Sequence, residues 1–344
     1  MRPARSQPAN GRAASWCAAA ALALGLGVVS GSPARAEGLD REREIAPFVH
    51  DMVARHGFER AELERILAAA SIQPQVIEAM SRQAESLDWY QYRPIFVTQE
   101  RIDEGVEFWR RHREALARAS AKFGVAEPVI VAIIGVETRY GTRVGRHRVL
   151  DSLATLTFRF PRRASFFRGE LEAFLLLARD EGLDAIGTTG SFAGAMGIPQ
   201  FIPTSYRAYA VDFDGDGKRD LIDSIDDAIG SVANYLDRHG WETGEIIALP
   251  AAVSGDDYLA LLAKGSRPHT VLADMADYGV VAVDASGSRA LGALIELDNR
   301  EGPEHWIGLQ NFYAITRYNH SNLYAMAVFQ LGREIERKFR AGDG

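Results

Sequence analysis

The chain has 344 residues, 47% hydrophobic and 25% charged, with a formal net charge of −7. That acidic balance argues against a nucleic-acid partner. Cys17 is the only cysteine, which excludes a disulfide framework and a cysteine-ligated metal centre, so the fold must rest on an apolar core that a chain of this length can bury.

Residues 1–36 read as a cleaved export signal. Arg2, Arg5 and Arg12 form a positive n-region, Trp16 to Val29 is an apolar run, and Ala34-Arg35-Ala36 supplies small residues for cleavage. Ala14-Ser15-Trp16, ahead of Cys17, do not form a lipobox, so a periplasmic location without a lipid anchor is expected. Beyond the signal 35 basic and 46 acidic residues remain, a net of −11.

From about Asp40 to Phe123 the pattern is helical. Ile45, Phe48, Val49, Met52 and Val53 keep a 3.6-residue period, as do Leu63, Ile66 and Leu67. Gly57 and Gln73-Pro74 punctuate the series. Asp88 to Arg93 adds a polar-aromatic patch suited either to stacking on sugars or to buried packing. Glu127-Pro128 opens a further helix, since proline is tolerated where the first N–H groups have no partner. Val129 to Val136 is apolar almost all round, which marks this helix as buried.

Glu137 ends that run. Burial and the negative end of the helix dipole both favour a neutral carboxyl, the state a general acid needs. A buried structural glutamate paired with Arg139 or another arginine fits its position equally well. Eight arginines follow, at 139, 143, 146, 148, 159, 162, 163 and 168. They form either a cationic strip for an anionic ligand or a solvated face. Ser191 to Phe201 is a run of small residues, read as a closely packed loop.

Asp212-Phe213-Asp214-Gly215-Asp216-Gly217-Lys218-Arg219-Asp220-Leu221-Ile222-Asp223 has the spacing of an EF-hand loop. The expected ligands are Asp212, Asp214, Asp216, the Lys218 carbonyl, Asp220 and Asp223, holding a structural calcium or similar hard cation. Asp223 is shorter than the usual terminal glutamate, and Arg219 replaces an apolar residue, which points to a solitary loop. Ser224 to His239 is an amphipathic helix with Ser224 and Asp227 as a capping-box pair. From Thr243 to Gln310, short apolar runs at 246–253, 280–283 and 293–297 alternate with turns, the pattern of a small antiparallel β unit. Helical periodicity returns at Leu323 to Phe339.

Four separated motifs then carry a resemblance. Gly135-Val136-Glu137-Thr138-Arg139-Tyr140-Gly141, Phe160-Pro161-Arg162-Arg163, Ser191 to Gly197 with Gln200-Phe201-Ile202-Pro203, and Ile315 to His320 resemble the lytic murein transglycosylase B family, over about residues 88–332. The resemblance implies an α+β fold: a mainly helical, lysozyme-like catalytic core with a small antiparallel β insertion and one EF-hand-like loop. It implies Glu137 as the catalytic acid and base, and Tyr92, Ser191, Gln200, Tyr318 and Asn319 lining the groove. Arg162 and Arg163 match a pair associated with the peptide stem. No catalytic cofactor is expected. The partner is peptidoglycan glycan strands with peptide stems. Recruitment by cell-wall synthesis or division machinery is compatible with this reading, and a monomer is expected.

The expected organisation is a signal at 1–36, a helical region at 37–90, the core at 91–242, a β domain at 243–310 and a returning segment at 311–344. Small residues from Ala193 to Gly197 are expected to let the backbone approach a glycan. A hydrolytic muramidase and a non-catalytic peptidoglycan-binding scaffold are the competing functions. The scaffold would dispense with Glu137, which is present. The matched motifs supply no second carboxylate, which favours formation of 1,6-anhydro-N-acetylmuramic acid ends over hydrolysis.

Overall fold

A computed structural model describes residues 38–82, 87–283 and 289–342. The expected export signal and Cys17 lie outside them. A turn of π-helix at Arg41–Ile45, capped by the Asp40 carboxylate, leads into α1 (Ala46–His56). Then follow α2 (Arg60–Ala68), α3 (Pro74–Arg82), α4 (Trp89–Phe96), α5 (Gln99–Arg111), α6 (Arg113–Phe123) and α7 (Glu127–Thr138). Next come β1 (His147–Arg148), α8 (Val149–Arg159), α9 (Ala164–Glu181), β2 (Thr189–Gly190), α10 (Pro203–Tyr209) and α11 (Ile225–Arg238). The last third holds β3 (Ala248–Val253), α12 (Leu259–Leu262), β4 (Thr270–Val271), β5 (Val280–Ala282), β6 (Leu291–Leu297), β7 (Glu304–Gly308), α13 (Gln310–Tyr318) and α14 (Asn322–Gly342).

Helix α7 is the centre of the helical part. Its side chains are apolar on every face, so it can be stable only with neighbours all round. Every residue from Val129 to Thr138 is buried. Helix α14 packs along it, with α5, α6 and α11 also against it. One continuous apolar cluster runs from Ile45 to Phe339, so α1–α3 and α14 share the core of the middle helices. Helix α4 crosses the boundary expected at 90/91.

The β unit is an antiparallel sheet of order β4-β6-β7-β3-β5. Leu249, Leu261, Leu272, Met275, Val280, Leu294 and Ile307 form its own small core. Strand β7, which the apolar runs do not reveal, pairs with both β3 and β6. Ala248, Ile295 and Leu297 join the main core and anchor the unit to the helices. Among the described residues no single helix is long and apolar enough to cross a membrane.

Candidate active site

Glu137 lies in the last turn of α7 and is 5% exposed. Arg139 does not pair with it. Its guanidinium binds Glu104, through Nε at 2.7 Å, and Glu100. This removes the reading of Glu137 as half of a structural ion pair with Arg139. Instead, the hydroxyl of Tyr324 on α14 donates to Glu137 Oε1 at 2.6 Å. Burial pushes the Glu137 carboxyl up to about 8, and the Tyr324 hydrogen bond moderates the shift. The group is therefore predominantly protonated at neutral pH.

The chain turns sharply after Glu137. Arg139 and Tyr140 have φ of 49° and 59°, in the left-handed region. Strain of this kind persists only where surrounding contacts hold it. The Arg139 ion pairs do so, together with the Tyr140 hydroxyl, which donates to the Arg101 carbonyl at 2.7 Å. Thr138 Oγ1 donates to the Ile198 carbonyl at 2.8 Å, tying the end of α7 to the 191–201 loop.

Three phenols surround Glu137. The hydroxyls of Tyr92, Tyr318 and Tyr324 are all raised above their ordinary pKa, first by burial and then by the Glu137 charge. Tyr318 and Tyr324 stack with centroids 6.3 Å apart, and the Tyr318 hydroxyl donates to the Pro199 carbonyl at 2.6 Å. Gln200, at φ 53°, donates from Nε2 to the carbonyls of Val144 at 3.0 Å and Gly197 at 2.9 Å. Ser191 Oγ accepts the Ala195 N–H at 3.0 Å, so it shapes its own loop while its hydroxyl hydrogen can still be donated. The buried Asn319 side chain makes no hydrogen bond among the described residues.

Two glycines of the loop are required by the protein's own packing. A Cβ on Gly197 would meet the Leu221 carbonyl oxygen at 2.2 Å, and one on Gly194 would meet Leu153. The cationic strip is likewise broken up. Arg139, Arg148, Arg159 and Arg168 are held by Glu100 and Glu104, by Asp151, by Glu44 and by Asp51 respectively. Arg162 is exposed in a short turn at Pro161–Arg163, and Arg163 lies over the Phe166 ring at 4.1 Å.

The aspartate loop joins α10 to α11, as its spacing implies, but the convergent carboxylates differ from the expected set. Asp212, Asp214 and Asp227 bring ligand oxygens within 4.8 Å of one another, and Asp216, Asp220 and Asp223 fall outside that group. Asp216 accepts the Lys218 N–H and Asp220 accepts those of Ile222 and Asp223. Asp227 is not the reciprocal half of a capping box. Ser224 Oγ does accept the Asp227 N–H at 3.2 Å. The Asp227 carboxylate turns into the loop instead, accepting N–H groups of Phe213 at 2.7 Å, Asp214 at 3.2 Å and Asp220 at 2.7 Å.

A family model described as Transglycosylase SLT domain matches residues 40–333. The chain belongs to this family. Membrane-bound lytic murein transglycosylase B of Escherichia coli is 45% identical over 298 residues, covering 84% of this chain and 81% of that protein. The solved structure of Escherichia coli lytic transglycosylase Slt35 in complex with calcium is 44% identical. It has a TM-score of 0.78 and covers 88% of this chain and 96% of that one. SltB3 from Pseudomonas aeruginosa, solved with NAG-NAM-pentapeptide, is 34% identical with a TM-score of 0.77, covering 87% of this chain and 80% of that one.

In this member of the Transglycosylase SLT family, Tyr324 and Asp227 are the residues that sequence reasoning misses. Tyr324 lies on the apolar face of α14 beside Ala325, Val328 and Leu331, where periodicity marks it only as core. Its hydrogen bond favours ionised Glu137, so Tyr324→Phe is expected to raise the Glu137 pKa above the wild-type value of about 8. Titration of 13C-labelled glutamate carboxyls by NMR measures this, and an unchanged or lower midpoint would contradict it.

Proposed function

We propose that Glu137 is both the acid and the base of a lytic transglycosylase on a lysozyme-like core. As a member of its family the chain is an enzyme acting on peptidoglycan, at the MurNAc-GlcNAc β-1,4 bond. Glu137, held protonated by burial, gives its proton to the departing glycosidic oxygen. As a carboxylate it then takes the proton of the muramic acid 6-hydroxyl, which attacks C1 of the same sugar and closes a 1,6-anhydro ring. Tyr92, Ser191, Gln200, Tyr318 and Asn319 orient the sugar and stabilise the developing charge. Arg162 and Arg163 face the peptide stem.

The observation that carries this reading is the isolation of Glu137. It is buried at the end of an apolar helix, and its hydrogen-bond partner among the described residues is the Tyr324 phenol, not a carboxylate. A retaining hydrolase places a second carboxylate about 5 Å away, and an inverting one about 6.5–9.5 Å away. Released muropeptides are therefore expected to lack one water relative to reducing ends, which mass spectrometry reads directly. Predominantly reducing ends would establish a hydrolytic muramidase instead.

Asp212, Asp214 and Asp227 form an all-oxygen group suited to a hard cation such as calcium, and the Lys218 carbonyl is the further donor that the loop's spacing assigns. The calcium in the Slt35 structure supports a bound cation, without bearing on which residues hold it. Such an ion would brace the link between α10 and α11 and take no part in catalysis. Action on peptidoglycan implies a periplasmic location, reached by the signal read in residues 1–36.

A further inference from the structure

Met196 to Phe201 is a closed turn whose tip is gripped from two sides. Met196 and Phe201 exchange both backbone hydrogen bonds, at 2.9 and 3.1 Å, and the Gln200 N–H donates to the Gly197 carbonyl at 3.2 Å. A segment tied in this way moves as one body, so its place depends on what holds it from outside. Ile198, buried at the tip, commits both of its backbone groups outside the turn. Its carbonyl accepts the Thr138 hydroxyl at 2.8 Å, and its N–H donates to the Leu221 carbonyl at 2.8 Å.

Each of these two anchors is itself fixed. Thr138 Oγ1 also accepts the Gly141 N–H at 3.0 Å, which closes the left-handed turn that follows Glu137. On the other side, the Leu221 N–H donates to the Tyr206 hydroxyl at 2.8 Å, and that hydroxyl donates to the Arg219 carbonyl at 2.6 Å. The Tyr206 phenol thus sets the direction in which the Leu221 carbonyl points. One hydrogen-bonded line runs from Tyr206 on α10 through Leu221 and Ile198 to Thr138, the residue after Glu137. Tyr206, Leu221 and Thr138 are fully buried. Water is not at hand to replace a lost partner, and neither side chain at the ends of the line reaches substrate. The residues that follow Ile198 do serve the groove: the Pro199 carbonyl accepts the Tyr318 hydroxyl, and Gln200 comes next.

We propose that Thr138 and Tyr206 are positioning residues for glycan cleavage, which set the 196–201 turn against Glu137 through the backbone of Ile198. The assignment rests on Glu137 as the catalytic acid and base. A displacement of about 1 Å between reacting groups costs up to about a hundredfold in rate. Lost alignment of this kind lowers kcat and kcat/KM together.

Steady-state kinetics on soluble glycan strands, well below each variant's melting temperature, test the line. Thr138→Val keeps the side-chain shape without the hydroxyl, so kcat should fall about ten- to a hundredfold with KM near wild type. Thr138→Ser restores the hydroxyl and should recover most of kcat, which a lost packing contact would not explain. Tyr206→Phe should lower kcat about three- to tenfold, the scale of coupling carried through packed networks. In the Thr138→Val background it should add little, because residues on one line are not additive. Wild-type kcat in Thr138→Val, or losses that multiply in the double variant, would overturn the proposal. Should Thr138→Val fail to fold, Tyr206→Phe decides, and an unchanged kcat there overturns it. Hydrogen exchange reads the line without activity: the Ile198 amide should lose protection in Tyr206→Phe, and wild-type protection would contradict the coupling. Any of these failures beside an inactive Glu137→Gln removes only the positioning line. Normal cleavage by Glu137→Gln would instead remove the reading on which it rests.

Discussion

Glu137→Gln is expected to lower glycan cleavage by about two to four decades while leaving sacculus binding near the wild-type level. The amide has the shape and neutrality of the protonated acid, so the Tyr324 hydroxyl can still donate to its oxygen. It cannot release a proton to the leaving group. Loss of turbidity in a peptidoglycan suspension, set beside co-sedimentation with sacculi, separates the two effects. Cleavage close to wild type would remove Glu137 from the mechanism. The same variant carries a linkage test. The folded carboxyl sits at about 8 against an ordinary 4.5, so the stability it contributes is fully present below pH 4.5 and is lost as pH rises through 8. Glutamine does not titrate. Glu137→Gln should therefore melt above the wild type at pH 9 and lose that advantage toward pH 4, as differential scanning calorimetry across pH would record. A stability difference between variant and wild type that does not change between pH 4 and pH 9 would show that the carboxylate is accommodated without penalty.

What could be read from the sequence here was local. Burial of Glu137 follows from Val129 to Val136, because no arrangement exposes a helix that is apolar on all faces. The aspartate loop follows from fixed spacing, and the β unit from short apolar runs between turns. Pairings across long stretches of chain left no such trace. Tyr324 meets Glu137 across 187 residues, and Arg139 finds Glu104 35 residues upstream. Only tertiary packing selects those partners, and the amphipathic pattern of α14 presents Tyr324 as one core residue among many. The misread of Asp227 has the same origin. Ser224 and Asp227 satisfy the local capping rule, but Phe213, 14 residues upstream, is where the carboxylate goes. Strand β7 begins Glu-His-Trp, with intermediate burial over those three residues. It has no clean alternation to reveal it, although it holds the sheet together from the middle.

The geometry of Asp227 makes it the second position where one substitution should have a large effect. Its carboxylate is 0% exposed and receives three backbone N–H groups that have come together from Phe213, Asp214 and Asp220. Asp227→Ala leaves those donors without an acceptor inside the fold, at a cost on the order of 1–3 kcal/mol for each one that water cannot reach. It also removes the carboxylate that joins Asp212 and Asp214 in the convergent group. The wild-type protein should melt higher in calcium than in chelator, by an amount that grows with calcium concentration, because the ion binds the folded chain and not the unfolded one. Asp227→Ala should melt lower than wild type even in chelator and gain nothing from calcium. Asp223→Ala should keep most of the calcium response, since its carboxylate lies outside the convergent group. The comparison decides between two ways of closing the loop. If Asp223→Ala abolished the response and Asp227→Ala kept it, the twelfth position of the loop would hold the ion and the convergence at Asp227 would be only a structural clamp. Loss of the response in Asp227→Ala alone would mean that the residue capping the loop's backbone also completes its cation site, joining α11 to the loop through a single buried side chain.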